Sequence, residues 1–192
     1  MNKKVTVFDF DKTLTDKDTL FGFYRSVADK DRFFYPKRFL LLIAGVFYKT
    51  GLINNSTLKR VGISLFLKGR SRKELETAAQ IYAKQIKFND IYFNYYQKAE
   101  GEKWIISASP EIYLRYLFPG ENVAGTIFTF TEEKVKGLKI NMFGREKKRF
   151  LNEKGVNTID VFYTDSLSDK PLMDISDEAH IVERGELKVF GR

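Results

Sequence analysis

Val5-Thr6-Val7-Phe8-Asp9-Phe10-Asp11-Lys12-Thr13-Leu14-Thr15 is the stretch on which the reading of the whole chain turns. Its first four residues are β-branched or aromatic, a run short enough for a buried strand. Acidic residues follow at once. Residues two apart on a strand face the same way, so Asp9 and Asp11 can point together into one site while Phe10 turns to the core. Carboxylates that close repel each other unless a cation sits between them or one takes a proton. The plainer alternative is that both merely form the turn at a strand end.

The same pattern, an apolar strand with a polar end, recurs downstream. Trp104-Ile105-Ile106 reads as a strand closed by Ser107, and Pro110 to Phe118 as a helix opened by proline in its first turn. Ile159-Asp160-Val161-Phe162-Tyr163 reads as a buried strand running into Thr164-Asp165-Ser166-Leu167-Ser168-Asp169. There the spacing puts Asp165 at the strand end and Asp169 one helical turn on. Val123 to Ile140 reads as strand and hairpin with Lys136-Gly137 as the turn, and Arg145 to Lys154 as a helix ending before Gly155. Ala179 to Val182 is a last strand, with Arg184-Gly185-Glu186 as a turn after it. Strands alternating with helices predict an α/β fold, a mostly parallel sheet with helices on both faces. In such sheets ligands bind beyond the carboxyl ends of the strands.

From about Leu20 to residue 100 the pattern is helical instead. Ser71-Arg72-Lys73-Glu74 is a capping box, and Leu75, Ala78, Ala79, Tyr82 and Ile86 recur on one helical face. Gly51 and Asn54-Asn55-Ser56 mark breaks between earlier helices. The surface chemistry differs as well. Between Leu20 and Glu100 there are 15 Lys and Arg against 6 Asp and Glu, a net of +9, so the rest of this +8 chain carries −1. The same segment holds 16 of the 29 aromatic residues. A basic, aromatic insert thus interrupts a nearly neutral chain, and 192 residues suffice for one filled core plus that insert.

Several function classes fall away. The chain has no cysteine, which excludes disulfides, thiolate catalysis and cysteine-bound zinc and fits a reducing compartment. His180 is the only histidine, so no histidine cluster exists for zinc or iron, and it reads as structural. Met1-Asn2-Lys3-Lys4-Val5 lacks the apolar core of a signal peptide, so a cytoplasmic location is expected. The uncharged run Phe39 to Phe47 is shorter than the ~20 residues a membrane-spanning helix needs.

Asp-Phe-Asp-Lys-Thr-Leu-Thr at Asp9 to Thr15 resembles the first signature of the haloacid dehalogenase superfamily, Asp-x-Asp-x-Thr. Ser107 resembles the second signature, Lys147 in Gly144-Arg145-Glu146-Lys147 the third, and Asp165…Asp169 the fourth. Order and spacing match across essentially the whole chain. The resemblance implies a Rossmann-like three-layer core from residues 1–17 and 99–192, with residues 18–98 as a helical cap inserted between the first two motifs. It implies a phosphatase: Asp9 attacks phosphorus to form an aspartyl-phosphate, and Asp11 protonates the leaving oxygen and then deprotonates water. Ser107, the Ala108 N–H and Lys147 would hold the phosphoryl oxygens. Mg²⁺ would be held by Asp9, the Asp11 carbonyl and Asp165, with Asp169 behind them. Lys148 substitutes for Lys147 if the register slips by one, and Ser107 competes with Ser109 as a helix cap.

The short chain resembles the branch that contains phosphoserine phosphatases. Those enzymes carry a Glu near position 18 that meets the substrate amine, where this chain has Asp18. Phe39 to Phe47, Lys68-Gly69-Arg70 and Arg184-Gly185-Glu186-Leu187 are similar to features of phosphatidylglycerophosphatase C. The expected substrate is therefore a lipid phosphomonoester or a small phosphometabolite such as phosphoserine. Peripheral contact of the basic cap with the anionic inner face of a membrane is expected on the first reading. On the other, Leu40 to Val46 is the cap's own core. A basic nucleic-acid or anionic-surface binding module is the rival class, but it leaves the four motifs without a task, and no nucleic acid is expected as partner.

Overall fold

The computed structural model describes residues 4–29, 31–183 and 185–190. In chain order the elements are β1 (Val5–Phe8), α1 (Leu20–Val27), α2 (Phe34–Lys49), α3 (Asn55–Phe66), α4 (Arg72–Ala83), β2 (Glu102–Pro110), α5 (Glu111–Leu117), β3 (Asn122–Thr131), β4 (Lys134–Ile140), α6 (Arg145–Glu153), β5 (Ile159–Thr164), α7 (Lys170–Met173), β6 (Ser176–Glu183) and β7 (Glu186–Val189). The strands form one sheet of seven in the order β4-β3-β2-β1-β5-β6-β7. The pairs from β3 across to β6 are parallel, and β4 and β7 close the two edges antiparallel.

Strand alternation divides the core in two. Phe8, Ile105 and Tyr163 face one apolar cluster, which also takes Phe23 of α1, Ile63 of α3, Leu75 of α4 and Tyr113 of α5. Val7, Trp104, Ile106 and Phe162 face the other, against Leu151 of α6 and Leu172 of α7. Helices thus cover both faces, the three-layer arrangement the alternation predicts. The helices α1 to α4 enter between β1 and β2 as one inserted segment. The break read at Asn54-Asn55-Ser56 is the start of α3, where Asn54 accepts from Thr57 N–H, and α4 opens on the reciprocal capping box of Ser71 and Glu74 that the sequence foretells. Gly69 N–H donates to the Val135 carbonyl at 2.9 Å, tying the insert to β4.

Three local expectations are corrected. The β3–β4 turn lies at Glu132-Glu133, not at Lys136-Gly137; Gly137 sits inside β4 opposite Thr129. Both glutamates adopt positive φ, 48° and 58°, the backbone that matches strand twist in a tight hairpin. Pro110 precedes α5 as its cap instead of opening its first turn, and β2 runs on past Ser107 with a register shift between Ile106 and Pro110. The segment after Val182 is a further strand, β7, paired with β6 through Gly185 at φ 84°. Arg184, assigned to that turn, lies outside the described residues.

Candidate active site

Because β2, β1 and β5 are adjacent at the centre of the sheet, their carboxyl ends bring Asp9, Ser107 and Asp165 to the rim of one cavity of about 470 Å³. Asp9 is only 7% exposed. Its N–H donates to the Tyr163 carbonyl at 2.9 Å, and its Oδ1 accepts from Phe10 N–H at 2.8 Å. Lys147 Nζ lies 3.1 Å from Asp9 Oδ1 and 2.7 Å from Asp169 Oδ2. Thr164 Oγ1 donates to the same Asp169 oxygen at 2.9 Å. Lys147 and Asp169 are each 1% exposed.

Two local features of the chain place that lysine. Gly144, at φ 59°, lets the chain turn sharply into α6, and Lys147 then falls on the buried face of the helix with Leu151. Lys147 and not Lys148 is among the residues lining the cavity.

Burial pushes the Asp9 carboxyl well above the usual carboxylate range; Lys147 opposes the rise, and Asp169 and Asp165 add to it. Burial also raises Asp165. For Lys147, burial acts to lower the pKa, but Asp9 and Asp169 outweigh it and the net shift is upward. Both shifts of the Asp9–Lys147 pair are upward, so one favours a neutral carboxyl and the other a charged ammonium. An ammonium wedged between two carboxylates favours the charged pair, since a neutral partner would leave the others buried without compensation.

Asp11 sits in a different setting, a cage of hydroxyls. Its Oδ1 accepts from Thr19 N–H at 2.9 Å and Thr19 Oγ1 at 2.6 Å, and its Oδ2 accepts from Ser109 Oγ. Tyr113 O–H in turn donates to Ser109 Oγ at 2.6 Å. Burial and then Asp18 push Asp11 up to about 6, while the hydroxyls of Ser109 and Thr19 pull it down. A carboxyl so poised can give or take a proton near neutral pH. Ser109 is therefore committed to Asp11 and does not cap α5. Ser107 is buried, its Oγ accepting from Ser109 N–H at 3.0 Å, and Ala108 faces the cavity between them.

Sequence reasoning missed Lys59. It comes from α3 in the insert, is 5% exposed, and donates to the Ala108 carbonyl at 2.6 Å, Asn141 Oδ1 at 2.6 Å and Thr126 Oγ1 at 3.1 Å. Burial lowers it to about 8, with Asp11 and Asp18 opposing. A signal existed: Lys59, Gly62, Ile63 and Phe66 share the buried face of α3, so the lysine interrupts an apolar stripe. Thr19 and Tyr113 were missed too, and nothing in their sequence neighbourhood marks them. His180 lies on β6, stacked on Tyr163 at 4.9 Å with its Nε2 2.9 Å from Glu178, and does not line the cavity. A larger open groove of about 910 Å³ runs between α1 and α4 and holds none of the motif residues.

The donor set suits a hard cation. Asp9, Asp11 and Asp165 bring oxygen atoms alone to the cavity, and Asp169 Oδ1 is buried with no hydrogen-bond partner. Among the described residues, no three His, Cys, Asp or Glu side chains form a ready-made metal cluster.

Comparison with known proteins agrees with this layout. Solved structures share the fold: a protein of unknown function from Bordetella pertussis Tohama I (TM-score 0.73, 14% identity, covering 91% of this chain and 87% of that one). A phosphoserine phosphohydrolase-like protein from Francisella tularensis subsp. tularensis SCHU S4 gives 0.64 at 16% identity, over 92% and 85% of the two chains. Phosphoserine phosphatase from T. onnurineus gives 0.59 at 20% identity, over 93% and 82%. No protein of curated function matches by sequence. The family model for haloacid dehalogenase-like hydrolases matches residues 6–174, from β1 through α7, and the chain belongs to that family.

Proposed function

We propose that this chain is a Mg²⁺-dependent phosphomonoester hydrolase that works through an aspartyl-phosphate on Asp9. The observation that carries the reading is the pairing of two unlike carboxyls on one cavity: Asp9 beside the buried Lys147, and Asp11 in its hydroxyl cage. In the first half-reaction an Asp9 oxygen bonds to phosphorus, the ester P–O bond breaks, and the Asp11 proton passes to the leaving oxygen. In the second, water bonds to phosphorus while Asp11 takes its proton, and the Asp9–phosphorus bond breaks to release phosphate. Ser107, the Ala108 N–H and Lys147 hold the phosphoryl oxygens, and Asp169 keeps Lys147 charged and aimed. Bound through Asp9, the Asp11 carbonyl and Asp165, Mg²⁺ would supply the positive charge that lets an anionic nucleophile approach an anionic ester.

We take residues 18–98 as the cap and 1–17 with 99–192 as the core, in the branch shared by phosphoserine and phosphatidylglycerophosphate phosphatases, and place the enzyme on the cytoplasmic side. Leu41, Leu42, Tyr48 and Leu58 line the same cavity as the acidic residues, which favours a leaving group with an apolar body, a lipid phosphomonoester, over phosphoserine. The test is phosphate release with Mg²⁺ from a panel holding both kinds of ester, with an acid quench to trap labelled protein. Label on Asp9 supports the mechanism. Failure to hydrolyse any phosphomonoester would overturn it.

A further inference from the structure

The helix α2 is apolar on both sides but packed on only one. Its 16 residues, Phe-Tyr-Pro-Lys-Arg-Phe-Leu-Leu-Leu-Ile-Ala-Gly-Val-Phe-Tyr-Lys, carry three charges, all basic. Phe34, Leu41 and Ala44 form the inner stripe, turned toward the protein. The outer stripe is apolar as well: Tyr35, Phe39, Leu42 and Val46, spaced as one helical face, are 75%, 64%, 58% and 59% exposed. Ten of the sixteen exposed large apolar side chains among the described residues lie between Phe33 and Leu52. Scattered exposed leucines need no explanation, but a helix hydrophobic all round calls for a second apolar medium.

Charge says which medium. From Arg32 to Lys73 the chain holds ten Lys and Arg and no Asp or Glu. Lys59 is buried and Lys37, Arg70 and Arg72 pair with Asp31, Glu74 and Glu133, but Arg32, Arg38, Lys49, Arg60, Lys68 and Lys73 are exposed. A second copy of the chain on this face would set like charges against each other. A nucleic acid would leave the phenylalanines and leucines with no partner. An anionic lipid surface satisfies both features, taking the apolar stripe among its acyl chains and the basic residues at its headgroups. The helix is too short to cross: no helix among the described residues is long and apolar enough to span a bilayer.

We infer that α2 is an interfacial docking helix, which lies in the plane of an anionic membrane and holds the mouth of the active-site cavity against it. Leu41, Leu42, Gly45 and Tyr48 of this helix wall the cavity that contains Asp9 and Lys147. Docking would therefore let an ester with an apolar tail move from the lipid layer to the site without crossing water. That consequence rests on the phosphatase reading; the docking itself does not.

The experiment is co-sedimentation of the full chain, in chelator so that nothing turns over, with vesicles of phosphatidylcholine alone or mixed with phosphatidylglycerol. The expected result is binding to the mixed vesicles that weakens as salt rises. In the doubly substituted Phe39→Ser/Val46→Ser protein, binding should fall about tenfold or more, through loss of buried apolar area. Neither residue lines the cavity, so the same protein with Mg²⁺ should hydrolyse a soluble phosphomonoester at the parent rate. Absence of binding at low salt, equal binding to both vesicle types, or undiminished binding by the double variant would each overturn the inference. So would a concentration-dependent dimer that the double substitution abolishes, for then the stripe serves a second copy. Hydrolysis is read separately, so vesicle binding without activity would refute the phosphatase reading and leave the docking helix standing.

Discussion

Lys147 and Lys59 are both sealed from solvent at the same cavity, yet they are held by opposite means. Lys147, from the core, has a carboxylate on either side and keeps a raised pKa. Lys59, from the insert, contacts three oxygens that carry no charge and is lowered to about 8. The contrast teaches where each residue does its work. A lysine between carboxylates is an electrostatic component, and its removal strands negative charge. One that binds a carbonyl, an amide and a hydroxyl is a positioning device: it fixes the Ala108 segment against α3 and so ties the insert to the carboxyl end of β2.

That division orders the expected effects. Asp9→Asn should be the most damaging change, cutting kcat by about 10⁴-fold or more with the circular dichroism spectrum unchanged. Wild-type turnover by the pure, folded variant would remove the nucleophile from the scheme. Chelation should silence the enzyme and Mg²⁺ restore it, while Ca²⁺, with its larger and looser shell, should restore it poorly. Activity in excess chelator would rule the metal out.

Lys147→Ala should lower kcat/KM by about 10²–10³-fold, the usual loss for a transition-state donor. It should also destabilise the fold by about 3–5 kcal/mol, since Asp169 and Asp9 lose their buried partner. Lys148→Ala should do neither. Denaturant unfolding beside steady-state kinetics checks both, and an equal loss in the two variants would sink the assignment of Lys147. Of the two buried lysines, Lys59 should matter less: Lys59→Met should cost on the order of tenfold in activity through loosened positioning. Its cost in stability should be about 1–3 kcal/mol for acceptors left unpaired. If Lys59→Met matched Lys147→Ala in kinetics but not in stability, the insert would hold substrate directly and the contrast drawn above would fail.

Sequence made Asp9 and Asp165 legible because each follows a short apolar strand, and Ser107 because it interrupts one, so that periodicity and polarity change within two residues. Asp9, Ser107 and Asp165 needed only that signal, plus the rule that parallel strands share a carboxyl edge. The hairpin at Glu132-Glu133 was misplaced for the converse reason. Glycine marks positive φ, and here two glutamates adopt it while Gly137 pairs inside a strand.

What the sequence determined by itself is the local and periodic part: the α/β alternation, the basic insert, the capping box at Ser71 and the carboxylate pair at Asp9 and Asp11. Each depends on residues close together in the chain. Tertiary structure alone decided which groups converge from a distance. Thr19, Ser109 and Tyr113 surround Asp11, and Lys59 reaches Ala108 across 49 residues of sequence. It also decided that α2 is packed on one side only. Periodicity can show that a helix has two apolar faces, but which face meets another element depends on where the rest of the chain has folded.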